Sequence, residues 1–130
     1  MGRKVLIIDD DLDIRTFISS VVENTGYEAV LAQDGEEGIS KVKSEKPAVI
    51  TLDILMPKES GIKMYREMKT DAELKDIPVI VVSGIAKRTF LRSQRALAEF
   101  DGETVPEPEA YFEKPADPEE LGAMIRKLVS

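Results

Sequence analysis

Short runs of apolar, mostly β-branched residues alternate along the chain with longer stretches in which apolar residues recur at helical spacing. Continuous apolar runs at residues 5–8, 48–52 and 79–82 are typical of strands that are buried on both faces of a parallel sheet. Weaker runs at residues 28–32 and 110–112 have the same character. The pattern therefore predicts five strands.

Helical patterns occupy the stretches between and after these strands. In the first stretch the apolar residues Ile14, Phe17, Ile18, Val21 and Val22 recur three or four positions apart, and Gly26 follows as a helix stop. Similar patterns cover residues 35–45, 62–69, 87–100 and 119–129. Asp117 and Pro118 have the order of a helix cap and a first-turn proline, which predicts the start of the last helix. Strict alternation of strand and helix predicts a single α/β domain whose parallel sheet has helices on both faces.

Polar residues directly follow four of the predicted strands. They are Asp9, Asp10 and Asp11 after the first strand, Asp53 after the third, Ser83 at the end of the fourth and Lys114 at the end of the fifth. Because the carboxyl ends of parallel strands meet at one edge of the sheet, we expect these side chains to lie together. Taken singly, each is also typical of a turn or a helix cap, and Asp11 is the predicted cap. Their convergence predicts a site that holds a metal ion and a phosphoryl group.

Composition and charge narrow the chemistry further. The chain has no histidine and no cysteine, which excludes Ser/His and Cys/His nucleophile pairs, thiolate or imidazole metal sites and disulfides. Carboxylates must then carry the chemistry, and a cluster of oxygen ligands suits a hard ion such as Mg²⁺. The net charge of -7 disfavours binding to nucleic acid or to anionic membranes. The apolar run at residues 5–8 is too short for a signal sequence or a membrane span, so we expect a cytoplasmic protein.

Several motifs at the strand ends carry a resemblance to a known family. They are Val-Leu-Ile-Ile-Asp9-Asp10, Leu-Asp53-x-x-Met56-Pro57-x-x-x-Gly61, Val-Val-Ser83-Gly84 and Tyr111-x-x-Lys114-Pro115. In this order they resemble the receiver domain of two-component response regulators, and the resemblance covers residues 1–130 as a single domain. It implies a flavodoxin-like (βα)5 fold with a doubly wound parallel sheet of strand order 2-1-3-4-5.

The resemblance implies a phosphorylation site centred on Asp53. Asp53 is the expected phosphoacceptor, and Asp9 and Asp10 are the expected acidic pocket that holds Mg²⁺ together with Asp53. Leu55 is expected to contribute its backbone carbonyl to the ion, and Lys114 to bind the phosphoryl group. The expected donor is the imidazole of a sensor histidine kinase or of a histidine phosphotransfer protein.

The resemblance also implies a two-state switch that is read by protein contact. Ser83 corresponds to the switch hydroxyl and Tyr111 to the switch aromatic, and the Lys114–Pro115 bond is expected to be cis. The chain is then not an enzyme in the ordinary sense, because it catalyses only its own phosphorylation and dephosphorylation. We expect no output domain, so that the fourth helix, fifth strand and fifth helix pass the signal to a downstream protein target.

The stretch between Ser83 and Lys114 departs from the family pattern. It is longer than usual by roughly two helical turns, and we place the excess in an extended fourth helix and loop at about 86–109. Residues 84–98 contain bases and no acid, whereas residues 99–113 contain six acids and no base. This segregation predicts either a solvated helix face beside a solvated loop or a partner-docking surface.

Two other functions fit the same architecture. A Mg²⁺-dependent phosphohydrolase would also work through an aspartyl phosphate. Phosphatases of the haloacid-dehalogenase type are expected to carry a general acid two residues after the nucleophile, where this chain has Leu55. A flavodoxin-like flavin module would need a phosphate-binding loop after the first strand, where the aspartates repel the flavin phosphate. The sequence therefore favours a phosphorylation-controlled switch.

Overall fold

Strands and helices alternate along the chain in the computed structural model, which describes residues 3–56 and 61–129. The strands are β1 (Lys4–Ile8), β2 (Glu28–Ala32), β3 (Val49–Leu52), β4 (Val79–Ser83) and β5 (Ala110–Glu113). The helices are α1 (Leu12–Asn24), α2 (Gly35–Glu45), α3 (Gly61–Thr70), α4 (Lys87–Asp101) and α5 (Pro118–Val129). The predicted elements are confirmed. The bounds predicted for the strands and for the second to fifth helices lie within one residue of the observed ones, and the first helix extends two residues beyond its apolar pattern at each end.

The strands form one parallel sheet in the order β2-β1-β3-β4-β5. This order confirms the expected doubly wound topology. The chain runs outward from β1 to β2 and then returns to place β3 on the other side of β1. The connections therefore diverge above the carboxyl ends of β1 and β3, which creates the crevice where such sheets bind ligands.

Side chains along each strand alternate between two cores, one on each face of the sheet. In β1, Leu6 and Ile8 face the core that includes α2, α3 and α4, whereas Val5 and Ile7 face the core that includes α1 and α5. Every residue of β3 and β4 is buried, as their continuous apolar runs predict. The strands are held from both sides, so the residues at their carboxyl ends have fixed positions.

Side-chain caps set where two helices, α1 and α5, begin near the carboxyl ends of the strands. The Asp11 carboxylate accepts hydrogen bonds from two backbone N–H groups in the first turn of α1, which confirms the predicted cap. Asp117 accepts from the N–H of Glu120 at 2.9 Å, and Pro118 is the first residue of α5. Across the described ranges, no helix combines the length and the apolar character that crossing a membrane requires.

Candidate functional site

Three aspartates meet in the crevice at the carboxyl ends of β1 and β3. Asp9, Asp10 and Asp53 each offer one carboxylate oxygen, and these oxygens all lie within 4.8 Å of one another. Asp9 and Asp53 are 1% and 4% exposed, whereas Asp10 is exposed. An all-oxygen donor set of this size suits a hard divalent cation, so the residues present fit a metal ion.

A single ammonium group joins the two buried carboxylates. The Nζ atom of Lys114 donates hydrogen bonds to Oδ2 of Asp9 at 2.9 Å and to Oδ2 of Asp53 at 3.2 Å. The backbone N–H of Lys114 donates to the carbonyl oxygen of Ser83 at 2.8 Å, which fixes the end of β5 against β4. The Lys114–Pro115 bond is cis, as expected.

The charges in this cluster do not balance. Burial, together with the nearby charge of Asp53, raises the pKa of the Asp9 carboxyl and outweighs the Asp11 N–H and Lys114, which act to lower it. Burial acts to lower the pKa of Lys114, but the hydrogen bonds to Asp9 and Asp53 and the charges of both carboxylates together raise that pKa by more. Lys114 therefore stays protonated at neutral pH. Since three carboxylates face one ammonium in the described cluster, an added cation would reduce their repulsion.

Backbone donors orient the two buried carboxylates. Oδ1 of Asp9 accepts from the N–H of Asp11 at 2.9 Å, and Oδ1 of Asp53 accepts from the N–H of Leu55 at 3.1 Å. In each buried aspartate, one carboxylate oxygen therefore accepts a hydrogen bond from a backbone N–H and the other accepts one from Lys114. The Leu55 side chain itself is exposed to solvent.

Ser83 and Tyr111 both bind the backbone of Ile85. The Ser83 side chain is fully buried, and its Oγ accepts from the N–H of Ile85 at 3.2 Å. The Tyr111 hydroxyl donates to the Ile85 carbonyl oxygen at 2.6 Å. Burial, together with nearby carboxylates, raises the pKa of Tyr111 to about 12, so the phenol keeps the proton that it donates. Since α4 begins two residues after Ile85, this residue connects the expected switch pair to that helix.

Comparison with known proteins assigns the family to which this arrangement belongs. Residues 5–126 match the sequence profile described as "Response regulator receiver domain". The chain belongs to the response regulator receiver domain family. This family acts in two-component signalling, and its members are signalling domains rather than ordinary enzymes.

The receiver domain is similar to curated regulators and to a solved chemotaxis protein. It is 32% identical over 127 residues to the probable transcriptional regulator ycf27 of Cyanophora paradoxa, covering 98% of this chain and 48% of that protein. It is 29% identical over 131 residues to the alkaline phosphatase synthesis transcriptional regulatory protein PhoP of Bacillus subtilis, covering 99% and 49%. The chain thus spans about half the length of the curated relatives it matches. The structure of chemotaxis protein CheY4 of Vibrio cholerae superposes with a TM-score of 0.79 at 25% identity, covering 98% of this chain and 99% of that one.

Gly61 allows α3 of the receiver domain to begin directly against the backbone of the candidate phosphoacceptor. A Cβ atom at this position would lie 2.3 Å from the carbonyl oxygen of Asp53 and 2.4 Å from the Cα atom of Ile54. Both are backbone atoms that cannot move aside, so only glycine fits here. Pro57, which belongs to the same motif, lies outside the described residues.

The acidic stretch that begins at the last residue of α4 is bound to α3 by Arg66. This side chain donates to both carboxylate oxygens of Asp101 at 3.0 Å and to the carbonyl oxygen of Glu103 at 2.7 Å. It also donates to Oε1 of Gln94 on α4 at 3.1 Å. Arg66 is 9% exposed, so these groups satisfy a guanidinium that is almost removed from water.

A second basic side chain of α3 holds the far end of the same stretch. Lys69, whose side chain is 1% exposed, lies 3.4 Å from Oε1 of Glu109. That oxygen also accepts from the N–H of Val79 at the start of β4, at 2.7 Å. Between these anchors the hydroxyl of Tyr65 donates to the carbonyl oxygen of Pro106. We define residues 101–109 as the strap, since α3 binds both of its ends and its middle.

Sequence reasoning missed the strap contacts and the role of the Ile85 backbone. The strap partners are 35 to 41 residues apart along the chain, and no local pattern connects them. The Ile85 contacts use main-chain atoms, which residue type does not reveal. One signal for the strap contacts was available in the sequence: α3 contains basic residues and a later stretch contains acids only. Basic side chains that become buried require partners of opposite charge.

Proposed function

We propose that this receiver domain accepts a phosphoryl group on Asp53 and passes the signal on by protein contact. The observation that carries the proposal is the buried Asp53 carboxylate, which shares Lys114 with Asp9 and lies beside Asp10. A solvated turn aspartate would need no such surroundings. Membership of the receiver family supports the same role.

The surroundings of Asp53 suit in-line phosphoryl transfer. A carboxylate oxygen of Asp53 forms a bond to phosphorus while the bond from phosphorus to the donor's imidazole nitrogen breaks, and the imidazole leaves with the electron pair. Lys114 lies where its ammonium can offset negative charge on the transferred phosphoryl oxygens. Mg²⁺, held by Asp9, Asp10, Asp53 and the backbone carbonyl of Leu55, would supply further charge compensation.

The phosphoryl donor in this proposal is a sensor histidine kinase or a histidine phosphotransfer protein. The chain contains no histidine of its own, so the phosphorylated imidazole must come from a partner. The exposed Asp10 and Leu55 lie beside the buried acceptor, on the side open to solvent. A partner's imidazole can therefore approach Asp53 from this edge of the sheet.

The switch in this proposal works through Ile85. When the Ser83 hydroxyl turns to bind a phosphoryl oxygen, it releases the N–H of Ile85 that it now accepts from. Tyr111 is bound to the carbonyl of the same residue, so its position changes with that of Ile85. Phosphorylation is thereby expected to change the surface formed by α4, β5 and α5, which a downstream protein target reads.

Incubation with a small phosphodonor and Mg²⁺, followed by intact-mass measurement, tests the proposal. We expect one added phosphoryl group in the parent and none in Asp53→Asn, because an amide of the same shape is a far weaker nucleophile. Circular dichroism of the variant checks that the fold is kept. Labelling of Asp53→Asn at the parent's level would overturn the assignment. Continuous release of phosphate without a lasting adduct would favour the phosphohydrolase instead.

A further inference from the structure

Three aromatic rings form a row from β5 to α3. The ring centroid of Tyr111 on β5 lies 5.7 Å from that of Phe90 on α4, and the Phe90 centroid lies 5.6 Å from that of Tyr65 on α3, edge to face. Tyr65 and Phe90 are buried, and Tyr111 packs against the same core. We define these three residues as the aromatic row. Because rings in a close-packed core have little free space around them, a movement of Tyr111 changes the packing of the other two.

The aromatic row ends at the middle of the strap. The Tyr65 hydroxyl donates a hydrogen bond to the carbonyl oxygen of Pro106. Val105, the preceding residue, is half-buried and packs against the core that contains Tyr65 and Phe90. The position of the strap's middle therefore depends on side chains to which Tyr111 is connected through Phe90.

The strap is held on α3 by few contacts. Arg66 binds its first residue, Asp101, and Lys69 binds its last, Glu109. Most of the residues between these two are exposed, so the strap buries little apolar surface when it lies on α3. A segment of this kind opens at a low cost in free energy while the core stays folded. A small change in the aromatic row can therefore shift the balance between a bound and a released strap.

We infer that the strap is a clamp that favours the unphosphorylated arrangement of the switch, and that phosphorylation of Asp53 loosens it. The inference rests on the proposed function, since it concerns the regulation of the same site. The strap contacts coexist with the hydrogen bond from the N–H of Ile85 to the Ser83 hydroxyl, which the proposed switch breaks. Contacts that one of two arrangements makes better than the other stabilise that arrangement.

Direct contacts connect the switch pair to the strap at every step. The Tyr111 hydroxyl donates to the Ile85 carbonyl oxygen, so Tyr111 moves when Ser83 releases Ile85. The aromatic row then repacks, and the Tyr65 hydroxyl loses its alignment with the strap. Coupling between two equilibria is reciprocal in free energy, so release of the strap must in turn favour the phosphorylated arrangement.

Amide hydrogen exchange measured by mass spectrometry tests the clamp. The parent is compared with its form loaded with Mg²⁺ and beryllofluoride, which mimics the phosphoryl group. We expect residues 101–109 to exchange about fivefold faster or more in the loaded form, while β1 and β3 keep their protection. Tyr65→Phe removes the hydroxyl and keeps the ring, so its strap should exchange faster before loading and change less on loading. Tyr27→Phe removes a hydroxyl beside the other core and should behave as the parent does.

The affinity for beryllofluoride, measured by calorimetric titration at fixed Mg²⁺, tests the reciprocal effect. Arg66→Met removes the donors to Asp101 and to the strap backbone, and it is expected to lower the Kd by about fivefold. Arg126→Met changes an exposed arginine on α5 and should leave the Kd unchanged. In a Phe90→Leu background the effect of Arg66→Met should shrink, because the aromatic row is interrupted. Thermal unfolding verifies each fold, and Tyr65→Phe takes the place of Phe90→Leu if the latter does not fold.

Three results would overturn the clamp. They are strap exchange that stays the same or slows on loading, a Tyr65→Phe variant that responds as the parent does, and an unchanged beryllofluoride Kd in Arg66→Met. Phosphoryl labelling of Asp53 is measured on the same preparations. Normal labelling with a strap that does not respond contradicts the clamp alone. A parent that neither takes up the label nor binds beryllofluoride contradicts the proposed function, and the clamp with it.

Discussion

At the scale of single residues, the site depends on buried negative charge that one lysine holds in place. The side chains of Asp9 and Asp53 are buried. Each carboxylate accepts one hydrogen bond from a backbone N–H and one from the Lys114 ammonium. Neither carboxylate has a second ammonium among the described residues. The geometry therefore makes Lys114 a structural support of the site as well as the group expected to bind the phosphoryl oxygens.

Lys114→Met is expected to destabilise the protein by about 3 kcal/mol at neutral pH, because it leaves two buried carboxylates without their ammonium. Urea unfolding measures the loss. Lys114→Arg keeps the charge and should lose less, while Lys75→Met removes an exposed lysine and should have little effect. A Lys114→Met variant as stable as the parent would show that solvent or ions already neutralise the pair.

At the scale of elements, one backbone residue connects β4, β5 and α4. Ile85 donates to Ser83 at the end of β4, accepts from Tyr111 on β5 and precedes the first residue of α4 by two positions. A change at Ser83 therefore reaches a helix and a neighbouring strand without crossing the core. This short path is what the proposed switch requires.

Ser83→Ala is expected to uncouple this switch more than it blocks phosphorylation, because the hydroxyl is expected to bind the phosphoryl group mainly after transfer. Backbone NMR of the parent with beryllofluoride should show changes around Ile85 and Tyr111, and these changes should shrink in Ser83→Ala. Ser93→Ala on α4 serves as the control. Full-sized changes in Ser83→Ala would contradict the role of the hydroxyl.

The strap gives a second prediction at this scale. Arg66→Met keeps apolar bulk but removes the donors to Asp101 and Glu103, so residues 101–109 should exchange their amide hydrogens faster while the strands stay protected. Arg126→Met removes an exposed arginine from α5 as a control. Unchanged exchange in residues 101–109 would show that Tyr65 and Lys69 suffice to hold the strap.

The same contact predicts a pH dependence. A hydrogen bond from the Glu103 N–H, followed by the pairing with Arg66, lowers the pKa of Asp101 below its ordinary 3.8. A carboxyl whose pKa is lower in the folded state contributes stability above its ordinary pKa and loses it as the pH falls through the folded value. The difference in exchange between parent and Arg66→Met should therefore shrink below pH 3.8.

At the scale of the whole molecule, metal binding and folding stability are linked. A ligand that binds only the folded state adds about 2.7 kcal/mol when its concentration is 100 times its Kd. Asp10→Ala is expected to weaken Mg²⁺ binding and to raise the stability of the metal-free protein, because it relieves repulsion within the cluster. Calorimetric titration and thermal unfolding measure the two effects.

Asp13→Ala is the matched control, since Asp13 is an exposed acid close in sequence that is not part of the cluster. It should leave Mg²⁺ affinity unchanged. If Asp10→Ala also binds Mg²⁺ as the parent does, the ion is held without Asp10. That result would remove Asp10 from the expected ligand set without affecting the assignment of Asp53 as phosphoacceptor.

The sequence by itself determined the alternation of strands and helices and the set of residues at the carboxyl edge of the sheet. Both follow from local patterns: apolar runs mark the buried strands, and a parallel sheet brings the residues after β1, β3, β4 and β5 to one edge. The Asp11 cap was equally local, since its partners lie two and three residues away. These features needed no knowledge of how the helices pack.

Only the tertiary structure decided which charges are free and which are engaged. The acids from the end of α4 onward are typical of an exposed run in the sequence. Nevertheless α3 binds Asp101 and Glu109, which are 35 and 40 residues away along the chain, because the fold places the strap beside α3. The need for glycine at position 61 arises from the approach of α3 to the backbone that directly follows β3. Such contacts depend on the distance between elements. The packing of the helices on the sheet sets that distance, and the order of residues along the chain does not reveal it.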